Sequence, residues 1–249
     1  MTLRQRNLKM VVTYDGSAFF GFQFQPGVPT IQGELESVAG RVLGEKVRCI
    51  GSGRTDTGVH AMAQVVGVKT SCPIPVEKLY LAMNRSLPGS IRVRSVDEAD
   101  PGFHPRFSAT GKHYRYLIRP VTEPSPFLER YVWQVIESLE VERMQQAAAV
   151  FVGTHDFSSF ARSPERFEDP RRTILSSAVR REGDVIVYDV VGTGFLHNMV
   201  RNMARALVLA GSGKLQIEDV IELLRRQDRR RLGPPAPPAG LYLMEVRYS

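Results

Sequence analysis

The sequence predicts an α+β protein, because strand-like and helix-like segments are mixed along the whole chain without the regular alternation of a Rossmann or barrel sequence. β-Branched and apolar runs such as residues 8–14 predict strands, and apolar residues that recur every three or four positions predict helices. The 249 residues are 43% hydrophobic and 24% charged, which is typical of a soluble globular protein. We therefore expect partly antiparallel sheets that are covered by helices.

The first half of the chain has four segments typical of strands, at residues 8–14, 47–50, 64–70 and 91–96. An apolar stripe that starts at Ile31 predicts a helix, with Thr30 as its N-cap and Gly44 as its end. Two more helices are predicted, a short one at residues 59–63 and a longer one at residues 76–87.

The second half has a similar order of elements, with predicted strands at residues 114–119, 185–191 and 241–248. Helices are predicted at residues 141–152, 197–210 and 217–224. The proline-rich residues 234–238 predict an extended loop. Two prolines and a glycine within residues 101–105 indicate a domain boundary, which divides the chain into an N-terminal domain, 1–105, and a C-terminal domain, 106–249.

The chain is basic, with a formal net charge of +7, which favours partners such as nucleic acid or an anionic membrane. Its two cysteines, Cys49 and Cys72, lie far apart and predict free thiols in a reducing compartment. The basic N-terminus is not followed by the apolar core of a signal peptide, and no stretch approaches the length of a membrane span. We expect a cytoplasmic protein with no membrane association.

The segment Gly51-Ser-Gly-Arg-Thr-Asp-Thr-Gly-Val-His60 stands out because three of its residues are glycines. Glycine permits tight turns and the close approach of another molecule. Arg54 and Asp56 lie between the glycines, on a loop that follows a strand. An aspartate on such a loop can point into a cleft, although it can equally serve as a turn or N-cap residue that binds local amides.

Other site classes lack their signatures. The loop has neither the third glycine of a dinucleotide fingerprint nor the Gly-Lys-Ser/Thr of a phosphate loop. None of the five histidines forms an HExxH pair, neither cysteine neighbours another ligand, and no GxSxG elbow is present. We expect neither a metal nor an organic cofactor.

The string Gly53-Arg-Thr-Asp-Thr-Gly-Val-His-Ala61 resembles the catalytic signature of the TruA-type tRNA pseudouridine synthases. Further segments resemble this family in the same order along nearly the whole chain. They are Tyr14-Asp-Gly16, Gly21-Phe-Gln23, residues 84–88, Phe103-His-x-Arg-Phe-Ser108, Lys112-His-Tyr-Arg-Tyr116, Asp156-Phe-x-x-Phe160, Phe195-x-x-x-Met-Val-Arg-Asn202 and Gly240-Leu-Tyr-Leu243.

The resemblance implies roles for five residues. Asp56 matches the catalytic aspartate, and Arg54 matches an arginine that helps to flip the target nucleotide and fills its place. Tyr114 matches a tyrosine that stacks on the uracil. Arg201 matches an arginine that pairs with the aspartate, and Leu243 matches an apolar residue that lines the pocket.

The resemblance further implies two α/β domains with mixed, largely antiparallel sheets joined into one central sheet, and an active-site cleft between the domains. The implied substrate is uridine at positions 38, 39 and 40 of the tRNA anticodon stem-loop, and the implied assembly is a homodimer. Two alternatives stay open. One is a pseudouridine synthase that acts on another RNA or tRNA site, and the other is a non-catalytic RNA-binding module.

The chemistry suits a carboxylate. Isomerisation breaks the N1–C1′ bond of uridine and rejoins the base through C5, after the base has left the stack. Asp56 can attack the sugar or the base, or deprotonate the sugar beside C1′, and the sequence does not choose among these routes. A desolvated carboxylate needs a cation to stay ionised, which motivates the hypothesis of a buried Asp56–Arg201 pair.

Each assignment has a plainer alternative. Arg201 shares a predicted helical face with His197 and Arg205, which also fits a solvated basic surface. Tyr114 and Tyr116 share one face of a strand, which is usual for core residues. Further basic residues are candidates for phosphate contacts, namely Arg162, Arg166, Arg171, Arg172, Arg180, Arg181 and residues 225–231.

Overall fold

The computed structural model describes residues 5–226 and 231–249. The chain forms two compact units, one of Met1–Thr110 with Leu243–Ser249 and the other of Gly111–Tyr242. Residues Leu243–Ser249 belong to the first unit, whereas the predicted division after residue 105 assigns them to the second. None of the helices in the described residues combines the length and apolarity that a membrane crossing requires.

The first unit is an antiparallel sheet with two helices. Its strands are β1 (Arg6–Tyr14), β2 (Cys49–Gly51), β3 (His60–Thr70) and β4 (Ile91–Ala99), and its helices are α1 (Ile31–Leu43) and α2 (Val76–Ser86). β1 lies between β3 and β4, and β2 pairs with β3, all antiparallel. The final strand, β10 (Leu241–Tyr248), lies beside β3. Alternate residues of β1, such as Leu8, Met10 and Val12, are fully buried and form the core.

Helix α1 begins and ends where its capping residues predict. The Thr30 side chain accepts a hydrogen bond of 3.2 Å from the Gly33 amide, which satisfies one of the unpaired donors at the helix start. Gly44 adopts a left-handed conformation with φ of 70°, which is the usual glycine stop. Both capping predictions are confirmed.

The second unit combines a mixed sheet with three helices. Its strands are β5 (Ala109–Pro120), β6 (Trp133–Val135), β7 (Gly153–Asp156), β8 (Arg171–Glu182) and β9 (Val185–Gly192), and its helices are α3 (Val141–Ala149), α4 (Met199–Gly211) and α5 (Ile217–Arg226). β9 lies between β5 and β8, and β7 pairs with β8, all antiparallel, whereas β6 runs parallel to β5. Short 3-10 turns occur at Ser158–Phe160, Pro164–Arg166 and Pro238–Gly240. The predicted α+β class with largely antiparallel strands is confirmed.

Three helix predictions need correction. Residues 59–63 are not helical, because β3 begins at His60 and Ala61 pairs with Tyr14 of β1. Helix α3 ends at Ala149, so residues 150–152 lie outside it. Helix α4 begins at Met199, because Asn198 has a left-handed conformation with φ of 63°. His197 is therefore outside the helix and does not share a helical face with Arg201.

Candidate active site

Asp56 lies on the loop of residues 52–59, between β2 and β3, which we call the Asp56 loop. Its side chain is half-buried, and that of Arg54 is exposed. The Val59 amide donates a hydrogen bond of 3.1 Å to the Asp56 carbonyl, which closes a tight turn. Gly58 sits inside this turn with φ of 78°, a conformation that residues with a side chain rarely adopt.

A buried polar network holds the Asp56 loop from beneath. Gln64 of β3 has no exposed surface, and its amide nitrogen donates a hydrogen bond of 3.0 Å to the Gly53 carbonyl. Its amide oxygen accepts a bond of 2.7 Å from the Ser52 hydroxyl. The hydroxyls of Tyr14 and Thr55 share a bond of 2.8 Å. Buried polar groups with all partners in place fix one conformation, so the network orients the loop that carries the carboxylate.

The tyrosine of this network stays protonated at neutral pH. Burial raises the pKa of Tyr14 to about 12, against the opposing effect of its hydrogen bonds with Thr55 and Gln64. The phenol therefore keeps its proton and can take part as a donor across the physiological range.

The segment after β1 packs directly against the Asp56 loop. A Cβ atom on Gly16 would lie only 2.0 Å from the Val59 carbonyl oxygen, and one on Gly21 would lie 2.9 Å from the Thr55 carbonyl oxygen and 3.3 Å from the Asp56 carbonyl carbon. Only glycine permits backbones to approach this closely. The segment therefore forms a close-fitting wall for the turn that contains Asp56.

Arg201 lies on α4, and its guanidinium is oriented by the proline-rich loop. Its Nε donates a hydrogen bond of 2.7 Å to the Ala236 carbonyl, and the Ala236 amide donates one of 3.3 Å to the Arg201 carbonyl. A third bond, of 3.3 Å, joins an Arg201 terminal nitrogen to the Asn198 side chain. Ala236 itself is buried. The predicted extended loop is thus the element that fixes the direction of Arg201.

Tyr114 and Tyr116 lie on one face of β5, as predicted, but their surroundings differ. Tyr116 is fully buried and donates a hydrogen bond of 2.6 Å to the Pro237 carbonyl. Burial holds the pKa of Tyr116 well above its usual value, although nearby Arg201 opposes the shift. Tyr114 keeps 7% of its surface exposed, and its ring meets that of Phe195 edge-on at 5.0 Å. Tyr116 is therefore a core residue, whereas Tyr114 reaches the boundary of the core.

The five predicted site residues divide between the two units. Arg54, Asp56 and Leu243 belong to the first unit, and Tyr114 and Arg201 belong to the second. Leu243 is fully buried in β10. Their assembly into one pocket stays a prediction.

Several of the basic phosphate candidates are already paired with carboxylates. Arg171 lies 3.2 Å from Asp169, and Arg180 forms ion pairs with Glu182 and Asp189. Pairing reduces the charge that these two arginines offer to a phosphate. Residues 227–230 of the predicted basic run lie outside the described residues.

The sequence did not reveal one cluster of charges on the second unit. The Asp189 carboxylate of β9 contacts His113 at 2.6 Å and Arg115 at 3.0 Å from the neighbouring strand, as well as Arg180. Burial favours the neutral carboxyl, but the three hydrogen bonds prevail and hold the pKa of Asp189 well below its usual range. The register of β5 and β9 brings these charges together, because it sets Arg115 opposite Asp189. The two residues are far apart in the sequence, so the sequence alone does not indicate the cluster.

Among residues 5–226 and 231–249, no group of three or more histidine, cysteine, aspartate or glutamate side chains is arranged to hold a metal ion. The groups that the Asp56 loop offers to a substrate are a carboxylate and a guanidinium. They suit nucleophilic or proton-transfer chemistry together with recognition of an anion.

Comparison with known proteins identifies the family to which the chain is similar. The family model described as tRNA pseudouridine synthase matches residues 10–108 and 147–249. Three proteins named tRNA pseudouridine synthase A are similar over nearly their full length. That of Exiguobacterium sp. is 43% identical over 244 residues, covering 98% of each chain. That of Brevibacillus brevis is 43% identical over 243 residues, covering 98% of this chain and 100% of the relative. That of Acetivibrio thermocellus is 40% identical over 243 residues, with the same coverage.

The matched ranges include Arg54, Asp56, Arg201 and Leu243, and Tyr114 falls between them. Agreement therefore extends over more than half of the chain and includes the loop that carries the candidate catalytic carboxylate. The chain belongs to the tRNA pseudouridine synthase family.

Proposed function

We propose that the protein isomerises uridine to pseudouridine at positions 38, 39 and 40 of the tRNA anticodon stem-loop. The observation that carries the proposal is Asp56, a half-buried carboxylate on a loop whose backbone is fixed by buried hydrogen bonds, in a chain of the tRNA pseudouridine synthase family. A fixed carboxylate meets the main need of the reaction, which is a group held in place beside the sugar of an extruded nucleotide.

The reaction changes two bonds of the target nucleotide. The N1–C1′ bond breaks, a C5–C1′ bond forms, and C5 loses its hydrogen while N1 gains one. Asp56 assists departure of the uracil by attacking the sugar or the base, or by removing a proton beside C1′. Arg54, exposed on the same loop, is assigned to fill the space that the extruded base leaves, and Leu243 to line the pocket.

The loss of the C5 hydrogen supplies the test. With tRNA that carries tritium at C5 of uridine, we expect the protein to release tritium into water. Mapping of pseudouridine in tRNA from a strain that lacks the protein should then show loss at positions 38, 39 and 40. Loss at other positions would support a synthase for another site, and tRNA binding without tritium release would support the non-catalytic module.

The proposed partner of Asp56 is Arg201, whose guanidinium is held by the Ala236 carbonyl. If the two side chains pair, removing both costs less stability than the sum of the single losses, because the second removal finds the interaction already gone. We expect a coupling of about 1 kcal/mol or more between Asp56→Asn and Arg201→Gln, measured by urea unfolding of the four proteins. Arg205 lies one turn further along α4 and provides the control.

The control variant Arg205→Gln should show no coupling with Asp56→Asn. Arg205 has its own partner, because its Nε donates a hydrogen bond of 3.2 Å to the Leu232 carbonyl. Equal coupling for both arginines, or none for Arg201, would defeat the proposed pair.

Tyr114 is proposed to stack on the target uracil. Stacking requires an aromatic ring but does not require the hydroxyl group. It contributes about 1–3 kcal/mol of binding free energy per base. We expect Tyr114→Phe to retain tRNA affinity, whereas Tyr114→Ala should lose about 5- to 100-fold in a filter-binding assay. Thermal unfolding checks that the alanine variant is folded, because Tyr114 also packs against Phe195. Equal losses in the two variants would argue against stacking.

We also propose that the protein works as a cytoplasmic homodimer that engages one tRNA with both subunits. Sedimentation equilibrium of the purified protein, alone and with tRNA, tests the stoichiometry. A monomer that retains full activity would remove the dimer from the proposal.

A further inference from the structure

An aromatic side chain outside the predicted site is strongly exposed. Phe107, on the loop of residues 103–108, has 77% of its surface exposed. The guanidinium carbon of Arg106 lies 5.7 Å from the centre of its ring, and the His104 ring lies 4.4 Å away at a tilt of 31°. A single exposed ring is common on protein surfaces, so what distinguishes Phe107 is the guanidinium and the imidazole beside it.

The 103–108 loop is rigid because its own polar groups are paired. The His104 Nδ1 accepts hydrogen bonds from the amides of Arg106, at 3.1 Å, and Phe107, at 3.3 Å. The His104 amide donates to the Ser108 hydroxyl at 3.0 Å, and the Ser108 amide donates to the His104 carbonyl at 2.9 Å. Phe107 is therefore displayed from a fixed backbone, which lowers the entropy cost of binding a partner.

The loop is also anchored to the sheet of the first unit. Pro105 packs on Gly67 of β3, where a Cβ atom would lie only 3.0 Å from the proline ring. Its carbonyl accepts a hydrogen bond of 2.7 Å from the Tyr248 hydroxyl, and the Phe103 carbonyl accepts one of 2.9 Å from the Asn7 side chain.

The anchor of the 103–108 loop lies near the Asp56 loop. Tyr248 of β10 is close to Ser52, the first residue of the Asp56 loop. The two loops of the first unit therefore approach one another at this tyrosine.

We propose that Phe107 is a stacking platform for an unpaired nucleobase of the RNA substrate, with Arg106 placed to contact an adjacent phosphate. This inference rests on the proposed function. An exposed aromatic ring beside a guanidinium is the combination that binds single-stranded nucleic acid, because every base has a π-face and every nucleotide a negative charge. The loop Phe103-His-Pro-Arg-Phe-Ser108 contains no carboxylate that would repel a phosphate.

The test compares aromatic and aliphatic replacements with a matched control. Phe107→Ala should weaken binding of unmodified tRNA about 5- to 100-fold and raise KM while kcat changes little, and Phe107→Tyr should restore both. The control is Phe127→Ala in the second unit, where the side chain is 86% exposed and no effect on binding is expected. Unchanged affinity in Phe107→Ala would overturn the proposal.

A spectroscopic readout detects stacking directly. The chain has one tryptophan, Trp133, so Phe107→Trp combined with Trp133→Phe gives a single reporter on the loop. We expect tRNA to quench the emission of this reporter and Phe107→Tyr to retain affinity in parallel. Emission that does not change at saturating tRNA would contradict stacking at this position.

Two further outcomes distinguish the stacking platform from a dimer contact at Phe107 and from the proposed isomerisation. A shift from dimer to monomer in Phe107→Ala, seen by sedimentation, would identify a second copy of the chain as the occupant and would overturn the proposal. Absence of tritium release by the wild-type protein, together with Phe107-dependent binding and quenching, would overturn the proposed reaction and would support the platform.

Discussion

Asp56→Asn should abolish tritium release from C5-labelled uridine in tRNA, with a loss of at least about 10⁴-fold. The amide has the shape of the carboxylate but no negative charge, so it can neither attack the sugar or the base nor accept a proton from the sugar. The variant should still fold, with only the stability of the proposed Arg201 pair lost, because the Asp56 loop is held by Tyr14, Gln64 and backbone groups. The measurement is single-turnover tritium release, with tRNA affinity determined in parallel.

Asp97→Asn is the matched control for this prediction. Asp97 is an exposed carboxylate on β4 of the same unit, where its side chain accepts a hydrogen bond only from the neighbouring Ser95 among the described residues. It should release tritium at the wild-type rate. Turnover by Asp56→Asn within tenfold of the control would show that the reaction depends on another residue.

Gly16→Ala should have the largest structural effect among conservative substitutions near the site. The added methyl group would lie 2.0 Å from the Val59 carbonyl oxygen and 2.7 Å from its carbon, so backbone has to move. Overpacking against backbone costs about 3 kcal/mol, or roughly 6–12 °C in Tm for a chain of this size. Because the Val59 amide closes the turn at Asp56, we expect kcat to fall as well.

Gly89→Ala makes the same chemical change in open space, since among the described residues no heavy atom apart from those of its chain neighbours lies within 4 Å of the added carbon. It should leave both Tm and kcat unchanged. Calorimetry and tritium release on the two variants measure the two effects separately. A Gly16→Ala protein that is as stable and active as Gly89→Ala would show that the segment after β1 does not pack tightly against the Asp56 loop.

The elements whose bounds depend on residues nearby in the sequence were predicted well. The bounds of α1 follow from Thr30 and Gly44, whose capping roles need only their own neighbours. The strand predicted at residues 241–248, after the proline-rich loop, is β10 with the same bounds. Strands that depend on distant partners were harder to predict.

The clearest failure is β8, Arg171–Glu182, which is one of the two longest strands and was interpreted only as a source of basic side chains. Many of its side chains are polar and exposed, and the strand forms because β7 and β9 pair with its two edges. Likewise, the extension of β3 back to His60 depends on pairing between Ala61 and Tyr14. The pairing of Ala61 with Tyr14 lies outside any local window of the sequence. β8 and β9 form a local hairpin, but the polar, exposed side chains of β8 hid the strand from a search for apolar runs.

By itself, the sequence determined the α+β class, the glycine-rich loop with Asp56 and Arg54, and the family resemblance, because composition, periodicity and motif order are properties of the chain alone. Only the tertiary structure decided that Tyr14 and Gln64 hold the Asp56 loop, that the Ala236 carbonyl directs Arg201, and that Tyr248 anchors the loop of Phe107. The physical reason is that a buried polar group must find a partner wherever the fold provides one, and these partners lie 11 to 143 residues away along the chain.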